Sequence, residues 1–369
     1  MSQKVAQAQK TRKPRKPSPD AWMWKDVAAN QSPLLSIKPA QLNPAATPVT
    51  STSRTELVCS YNWLKGDKLA IVAPGFAPAW KPPPMPSTLP PDTGSFSIDH
   101  NGARMPRFPF EPLFRAATIV NPSFRFDEVD IVINRNSLRK LLDLCRGRVE
   151  TGFRLELLLV GNTLVVQRCE RKVRERLRGG NSKWMLAMRK TESRTKLAIA
   201  DNGGLASPAA TVVPAAGSTG SLLATHHGGR LQPQTTMAEI KSANERKTGA
   251  ISKHMPQLWF GRTPWLLVGH HTDGIFRSVN VTHAAARFAT WDANDTNQAA
   301  LRTLAALLAQ LRNDVLQRLR NNLGIGPGYA VAICEKQSKP RTIQIYAPTK
   351  GKKQALPDDL VRYFWSSPA

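Results

Sequence analysis

The stretch Phe153–Cys169, FRLELLLVGNTLVVQRC, constrains the fold more than any other part of the chain. Two β-rich runs flank Gly161-Asn162, a pair suited to the tight turn of a hairpin. A hairpin this apolar needs further strands and a covering layer to leave water. Helices for that layer are legible nearer the C-terminus. In NQAALRTLAALLAQLRNDVLQRLRNNL, Leu301, Leu304, Leu308 and Leu311 recur at three- and four-residue steps, and the pattern stops before Gly324. The stripe is read as core packing rather than as a partner surface. The class expected is α+β, with mixed sheets and packed helices.

The remaining elements follow from the same two periods. ELVCSYNWL and KLAIVAPG read as short strands, and residues 76–112 are proline-dense enough to require an extended connection. FDEVDIVINRNSLRKLLDLC predicts a strand passing into a helix, with Leu138, Leu141, Leu142 and Cys145 at helical spacing and Asn136 or Ser137 as cap. Residues 171–232 begin basic and turn low-complexity (NGGLASPAATVVPAAGSTGS), which predicts a disordered or aberrant insertion. MAEIKS then reads as a strand, SKHMPQLWFGR as a helix, and PWLLVGHH and IFRSVNVT as a strand pair. HAAARFATWDAN and PDDLVRYFW read as helices, and YAVAICEK with RTIQIYAP as a closing hairpin. The organisation expected is a basic disordered arm over 1–54, a first half of the core over 55–170, the insertion over 171–232 and a second half over 233–369.

Charge narrows the partners. Lys and Arg number 52 against 26 Asp and Glu, a formal net charge of +26. Such an excess favours polyanions, RNA first, although part of it could serve only to keep tails soluble. Arg171, Lys172, Arg174 and Arg176 are the expected nucleic-acid contacts, and KTRKPRKP reads as a nuclear-localisation or RNA-contacting patch. No apolar run approaches the ~18–20 residues that cross a bilayer, so no membrane role is expected. The basic N-terminus has no hydrophobic segment behind it and does not read as a secretory signal. Cys59, Cys145, Cys169 and Cys334 lie far apart, which argues against zinc and disulfides and fits the nucleus or cytoplasm.

Glu239-Ile240-Lys241 carries the chemistry. Residues i and i+2 of a strand share a face, so the pair could supply one ligand to Mg²⁺ or Mn²⁺ and one cation beside a scissile phosphate. An ordinary ion pair is the plain alternative. The run from MAEIKS through MPQLWFGRTPWLLVGHHTDGIFRSVNVTHAAARF resembles the last catalytic strand, helix and strand pair of the DXO-type decapping exoribonucleases, which have a PD-(D/E)XK nuclease core. FDEVDIVINRNSLRKLL and FRLELLLVGNTLVV are similar to that family's upstream strand-helix and hairpin, and SYNWL and IVAPGFAPAW to the opening strands of a fungal branch. That branch sometimes carries a prenyl-diphosphate-synthase label, yet this chain has no D-D-x-x-D motif to hold a Mg-diphosphate.

The resemblance implies Glu239 as metal ligand, Lys241 beside the attacking water or phosphate, and Gln257 as the glutamine that positions substrate. It also implies a G-x-x-x-E helix and then an acid-x-Asp strand between the hairpin ending near Cys169 and Glu239, and neither is present there. Glu128 and Asp130 of DEVD have the right types but lie before the hairpin and read as structural. Read one frame away, the codons available for NSKWMLA permit an acid-x-Asp strand, so residues about 171–230 are expected to include sequence read out of frame or across a misplaced splice junction. The expectation is an incomplete nuclease-like core with little or no activity. The alternative is a non-catalytic protein that holds RNA or a protein partner on a basic surface.

Overall fold

The apolar hairpin is the middle of the largest sheet. The structure, a computed structural model, describes residues 18–171 apart from 19, 65, 67, 78, 89–94 and 98–103, and then 176–178, 196–198, 211–213, 223–245, 251–320, 329–349 and 353–365. Strands β7 (Phe153–Val160) and β8 (Thr163–Cys169) pair antiparallel from Val160↔Thr163 to Arg154↔Cys169. Between them Gly161 has φ +54°, which costs glycine little, and a Cβ there would meet Trp365 Cδ1 at 2.6 Å. β16 (Tyr329–Cys334) pairs with β7, β17 (Ile343–Tyr346) with β16 and β1 (Leu35–Ile37) with β17, while β6 (Ile131–Ile133) runs parallel to β8.

Strand alternation gives this sheet two buried faces. Phe153, Leu155 and Leu157 face helix α2 (Arg135–Cys145), α3 (Met255–Phe260), α4 (Phe288–Ala293) and α5 (Asp295–Arg320). Leu301, Leu304 and Leu311 are buried there with Leu308 half-buried beside them, so the leucine stripe is core, as its spacing predicts. Leu158 and Val160 face the other way, onto α1 (Glu111–Val120), Phe126 and α6 (Asp358–Trp365). This is the expected α+β class, a mixed sheet between helical layers. Helix α1 was not read from the sequence: Pro112, the last of the proline-dense run, stands in its first turn, where a missing N–H costs nothing. The cap of α2 is Asn134, whose Oδ1 accepts from Ser137 N at 2.8 Å, in place of the expected Asn136 or Ser137.

Two stretches expected to be disordered contain folded elements. From Ala21 the arm is folded: the turn Ala21–Trp24 buries Met23 completely, and β1 extends the large sheet. A few large apolar residues suffice when a sheet edge and a hydrophobic hollow await them, and average composition conceals them. KTRKPRKP lies outside the described residues. Within 171–232, four strands are described, and three of them pair with distant segments. β9 (Arg176–Arg178) pairs with β5 (Ser95–Ser97), and β11 (Thr211–Val213) with β12 (Ala224–Gly229). β12 in turn runs parallel to β3 (Ala70–Gly75), which pairs with β2 (Asn62–Trp63). Gly229, at φ +84°, lets β12 approach β3 so closely that a Cβ would lie 1.9 Å from Gly75 O. Residues 181–187, the basis of the frame reading, lie outside the described residues.

The site sits on the remaining sheet. β13 (Met237–Asn244) runs parallel to β14 (Trp265–Thr272), which pairs antiparallel with β15 (Ile275–His283). The edges are β10 (Lys196–Ala198), beside β13, and β4 (Ser87–Thr88), beside β15. The edge of β13 beside Glu239 is thus paired over three residues. No described helix is long and apolar enough to cross a membrane.

Candidate functional site

Ala238 and Ile240 of β13 pack with Leu267, Trp265 and Trp80 on one side of the strand, whereas Ala243 packs with α2 and α3 on the other. Alternation therefore turns Glu239 and Lys241 together toward the helices, as their spacing predicts. Lys241 Nζ lies 3.0 Å from Glu239 Oε1. Helix α3 buries Met255, Leu258 and Trp259, and this leaves Gln257 facing β13, where its Nε2 donates to Glu239 Oε1 at 2.5 Å. Of the three residues singled out by the resemblance, Lys241 and Gln257 both contact Glu239.

The sequence reading missed their neighbours. Arg135 and Arg139, one turn apart on α2, point to the same place. Arg135 Nη2 reaches Glu239 Oε2 at 3.4 Å, and Arg139 Nη1 donates to Gln257 Oε1 at 3.4 Å. Their i, i+4 spacing at the start of a helix that directly follows a strand was the available signal. His254, next to α3, completes the cluster. Burial, then the charges of Lys241 and Lys253, hold its pKa below the ordinary histidine value, with Arg139 pulling the same way and Glu239 opposing. Lys196 stands opposite Glu239 in register, and Lys196-Leu197-Ala198, the strand beside β13, contains no acid.

Both oxygens of Glu239 thus face donors, three of them on or near cations. At an effective dielectric of about 20, unit charges about 4 Å apart interact by ~4 kcal/mol. A divalent ion at Glu239 would gain one such attraction, doubled by its charge, and meet comparable repulsion from Lys241, Arg135 and Arg139. Among the described residues, no three His, Cys, Asp or Glu side chains come together as a metal would require. The donor set does not fit Mg²⁺ or Mn²⁺. It fits an anion, because one carboxylate leaves the cations in excess.

The other expected contacts lie elsewhere. Arg171 is exposed, Lys172 and Arg174 are outside the described residues, and Arg176 belongs to the β5–β9 ribbon rather than to the β13 sheet. In DEVD, Asp127 pairs with Arg125 at 2.7 Å and Asp130 with Arg312 at 2.7 Å, which supports the structural reading of that motif. Trp259 is buried and donates to Asp292 Oδ2 at 3.0 Å, as a core residue does. The cysteines are free and inert: burial pushes the Cys59 thiol up to about 11 and those of Cys145, Cys169 and Cys334 to about 12.

Residues 34–195 and 195–365 match the protein family described as a domain of unknown function, DUF8563. The chain belongs to that family. No curated protein matches this DUF8563 member. Among solved structures it is similar to Rai1 of S. pombe, with a TM-score of 0.46 and 12% identity over 85% of this chain and 98% of that chain. Rai1 of Scheffersomyces stipitis, solved with (3'-NADP)+ and a calcium ion, gives 0.45 and 12% over 74% and 85% of the two chains. Rai1 of Candida albicans, solved with pU5 and Mn²⁺, gives 0.41 and 11% over 73% and 85%. Likeness at this level assigns no residue and no reaction to the DUF8563 chain.

Proposed function

We propose that this chain is a degenerate nuclease-like protein that holds RNA phosphates without hydrolysing them. The observation that carries the reading is the charge balance at Glu239: a single carboxylate, held by Arg135, Lys241 and Gln257 with Arg139 behind. A phosphodiester brings the negative charge that the cluster lacks. Arg135 and Arg139 offer planar donor pairs to phosphate oxygens, and Lys241 offers a compact charge. The net charge of +26 adds attraction that is independent of base sequence. Residence in the nucleus or cytoplasm and service to a protein partner belong to the same proposal.

The test uses 5′-labelled single-stranded RNA, capped or monophosphorylated, with Mg²⁺ or Mn²⁺. The expected result is intact substrate, salt-sensitive binding, and weaker binding in the double variant Arg139→Ala/Lys241→Ala. Glu239→Ala should leave binding equal or tighter. Mn²⁺-dependent release of 5′ products that disappears in Glu239→Ala would establish the enzyme reading instead.

A further inference from the structure

A second basic feature lies at the other end of α2. Arg135 and Arg139 occupy the first turns of that helix, whereas Cys145 and Arg146 at its end, with Arg148 beyond, help to line an open cavity of about 870 Å³. Met255 and Pro256 of α3 form part of its wall, while Gln257 of the same helix faces Glu239. Arg287, Trp291, Asn294 and Asn297 supply the opposite wall. Among the described residues, no Asp or Glu lines the cavity.

The three arginines are not equivalent. Arg146 is built into the wall: its side chain is 12% exposed, its Nη2 donates to Asn297 Oδ1 at 2.5 Å, and its guanidinium lies 5.6 Å from the Trp291 ring centroid. Asp143 is its only carboxylate neighbour among the described residues, at 3.7 Å and exposed. Burial, and Arg148 nearby, act against its charge. The side chains of Arg148 and Arg287 are exposed and have no hydrogen bond or ion pair among the described residues, although the Asp143 carboxylate lies close enough to Arg148 to interact with its charge. Two exposed guanidinium groups thus line the cavity together with a tryptophan and a packed arginine, and the Asn294 side chain stands beside them. Guanidinium groups match phosphate oxygens, aromatic and guanidinium planes stack on nucleobases, and amides can read base edges. The volume lies within the range of small-ligand sites, roughly 300–1,000 Å³.

We propose that this cavity is a nucleotide-binding site distinct from the Glu239 cluster, taking a nucleoside phosphate with its phosphate between Arg148 and Arg287 and its base against Trp291 and Arg146. The nucleoside phosphate could be a free mononucleotide or one residue of a single-stranded RNA. The proposal stands on the cavity alone and does not require the Glu239 reading.

The full-length chain would be titrated by calorimetry with AMP, inorganic phosphate and a 5′-phosphorylated oligoadenylate. Arg148→Ala/Arg287→Ala, Trp291→Leu and Arg139→Ala/Lys241→Ala would be compared with the parent, and thermal melts would verify folding. Arg148 and Arg287 are exposed, so their double variant should fold and lose about tenfold or more in affinity for the ligand that the cavity takes. AMP binding better than phosphate, and weakened by Trp291→Leu, identifies a free-nucleotide site. Loss confined to the oligonucleotide identifies an RNA residue as the occupant. A 4-thiouridine oligonucleotide should then crosslink to the peptide containing Trp291, a readout that survives if Trp291→Leu misfolds. Unchanged affinity of Arg148→Ala/Arg287→Ala for both AMP and oligonucleotide overturns the site. So does phosphate binding as tightly as AMP, because that leaves only an anion patch. If Arg139→Ala/Lys241→Ala weakens RNA binding while Arg148→Ala/Arg287→Ala changes the affinity for neither AMP nor oligonucleotide, the Glu239 reading stands and this one falls.

Discussion

Two clusters in this molecule use the same four residue types and do different things. Glu156 is held by Arg154 at 3.3 Å, Gln167 at 3.3 Å and Lys353, and Glu239 is held by Arg135, Gln257 and Lys241. The difference is burial and spare donors. The Arg154 and Glu156 side chains are 5% and 8% exposed, and Arg154 spends its remaining donors on the carbonyls of Met23 and Lys25. The charges of that cluster are matched inside the fold, although Gln167 Oε1 is buried without a partner, and it latches the N-terminal segment onto the large sheet. At the other cluster Arg135 is 31% exposed, and Arg139 adds a further cation whose donor goes to Gln257 rather than to a carboxylate. A set that closes on itself is a latch, and one that keeps unspent positive charge near solvent can receive an anion.

The largest effect is expected from breaking the latch. Glu156→Gln leaves Arg154 and Lys353 without their carboxylate and should cost about 3–5 kcal/mol of stability. Denaturant melts measure the loss, and limited proteolysis should show the segment around Met23 becoming cleavable. A loss below about 1 kcal/mol would erase the distinction between the clusters. Next comes Arg139→Ala/Lys241→Ala, which should lower RNA affinity by about tenfold and flatten its salt dependence while moving stability little. Filter binding over a range of salt concentrations reads both.

Glu239→Gln sharpens the comparison. Removing the one carboxylate that the cluster has among the described residues should cost about 1–3 kcal/mol, since Arg135 and Lys241 lose their counterion. Added phosphate should restore part of that loss in the variant and less in the parent, as thermal shift can show. Equal rescue in both would mean that the cations do not receive phosphate.

The smallest effect is a pH dependence from His254. Its folded pKa lies below the ordinary value near 6.5, so the unfolded chain takes up the proton first. Its contribution to stability is therefore complete above about pH 6.5 and falls as the pH drops below it. RNA affinity should move the opposite way, because bound phosphate favours the protonated ring. His254→Gln should remove both trends in melts and binding titrations run from about pH 7.5 to 5.5, and a parent without them would place His254 outside the cluster.

Much of the architecture was legible because local geometry carries it. The Gly161-Asn162 hairpin, the leucine stripe of α5 and the strand pair after α3 stand where their periods put them. Composition misled where a few residues mattered. Met23 and Leu35–Ile37 are folded inside a stretch whose average reads as disordered, and Ala224–Gly229 is a strand with no strand-like pattern. At the site, the E-x-K spacing was readable and its surroundings were not. Arg135 stands 104 residues before Glu239, and nothing in either segment announces the other.

Taken alone, the sequence determined that one acid and one lysine would share a face of a strand, since successive side chains alternate by construction. It also determined that the chain would carry a large positive excess. Only the tertiary structure decided that the open places around Glu239 are occupied by guanidinium groups from α2 and an amide from α3. Which helix docks on which strand depends on the packing of the whole core, and that is not written in any local period.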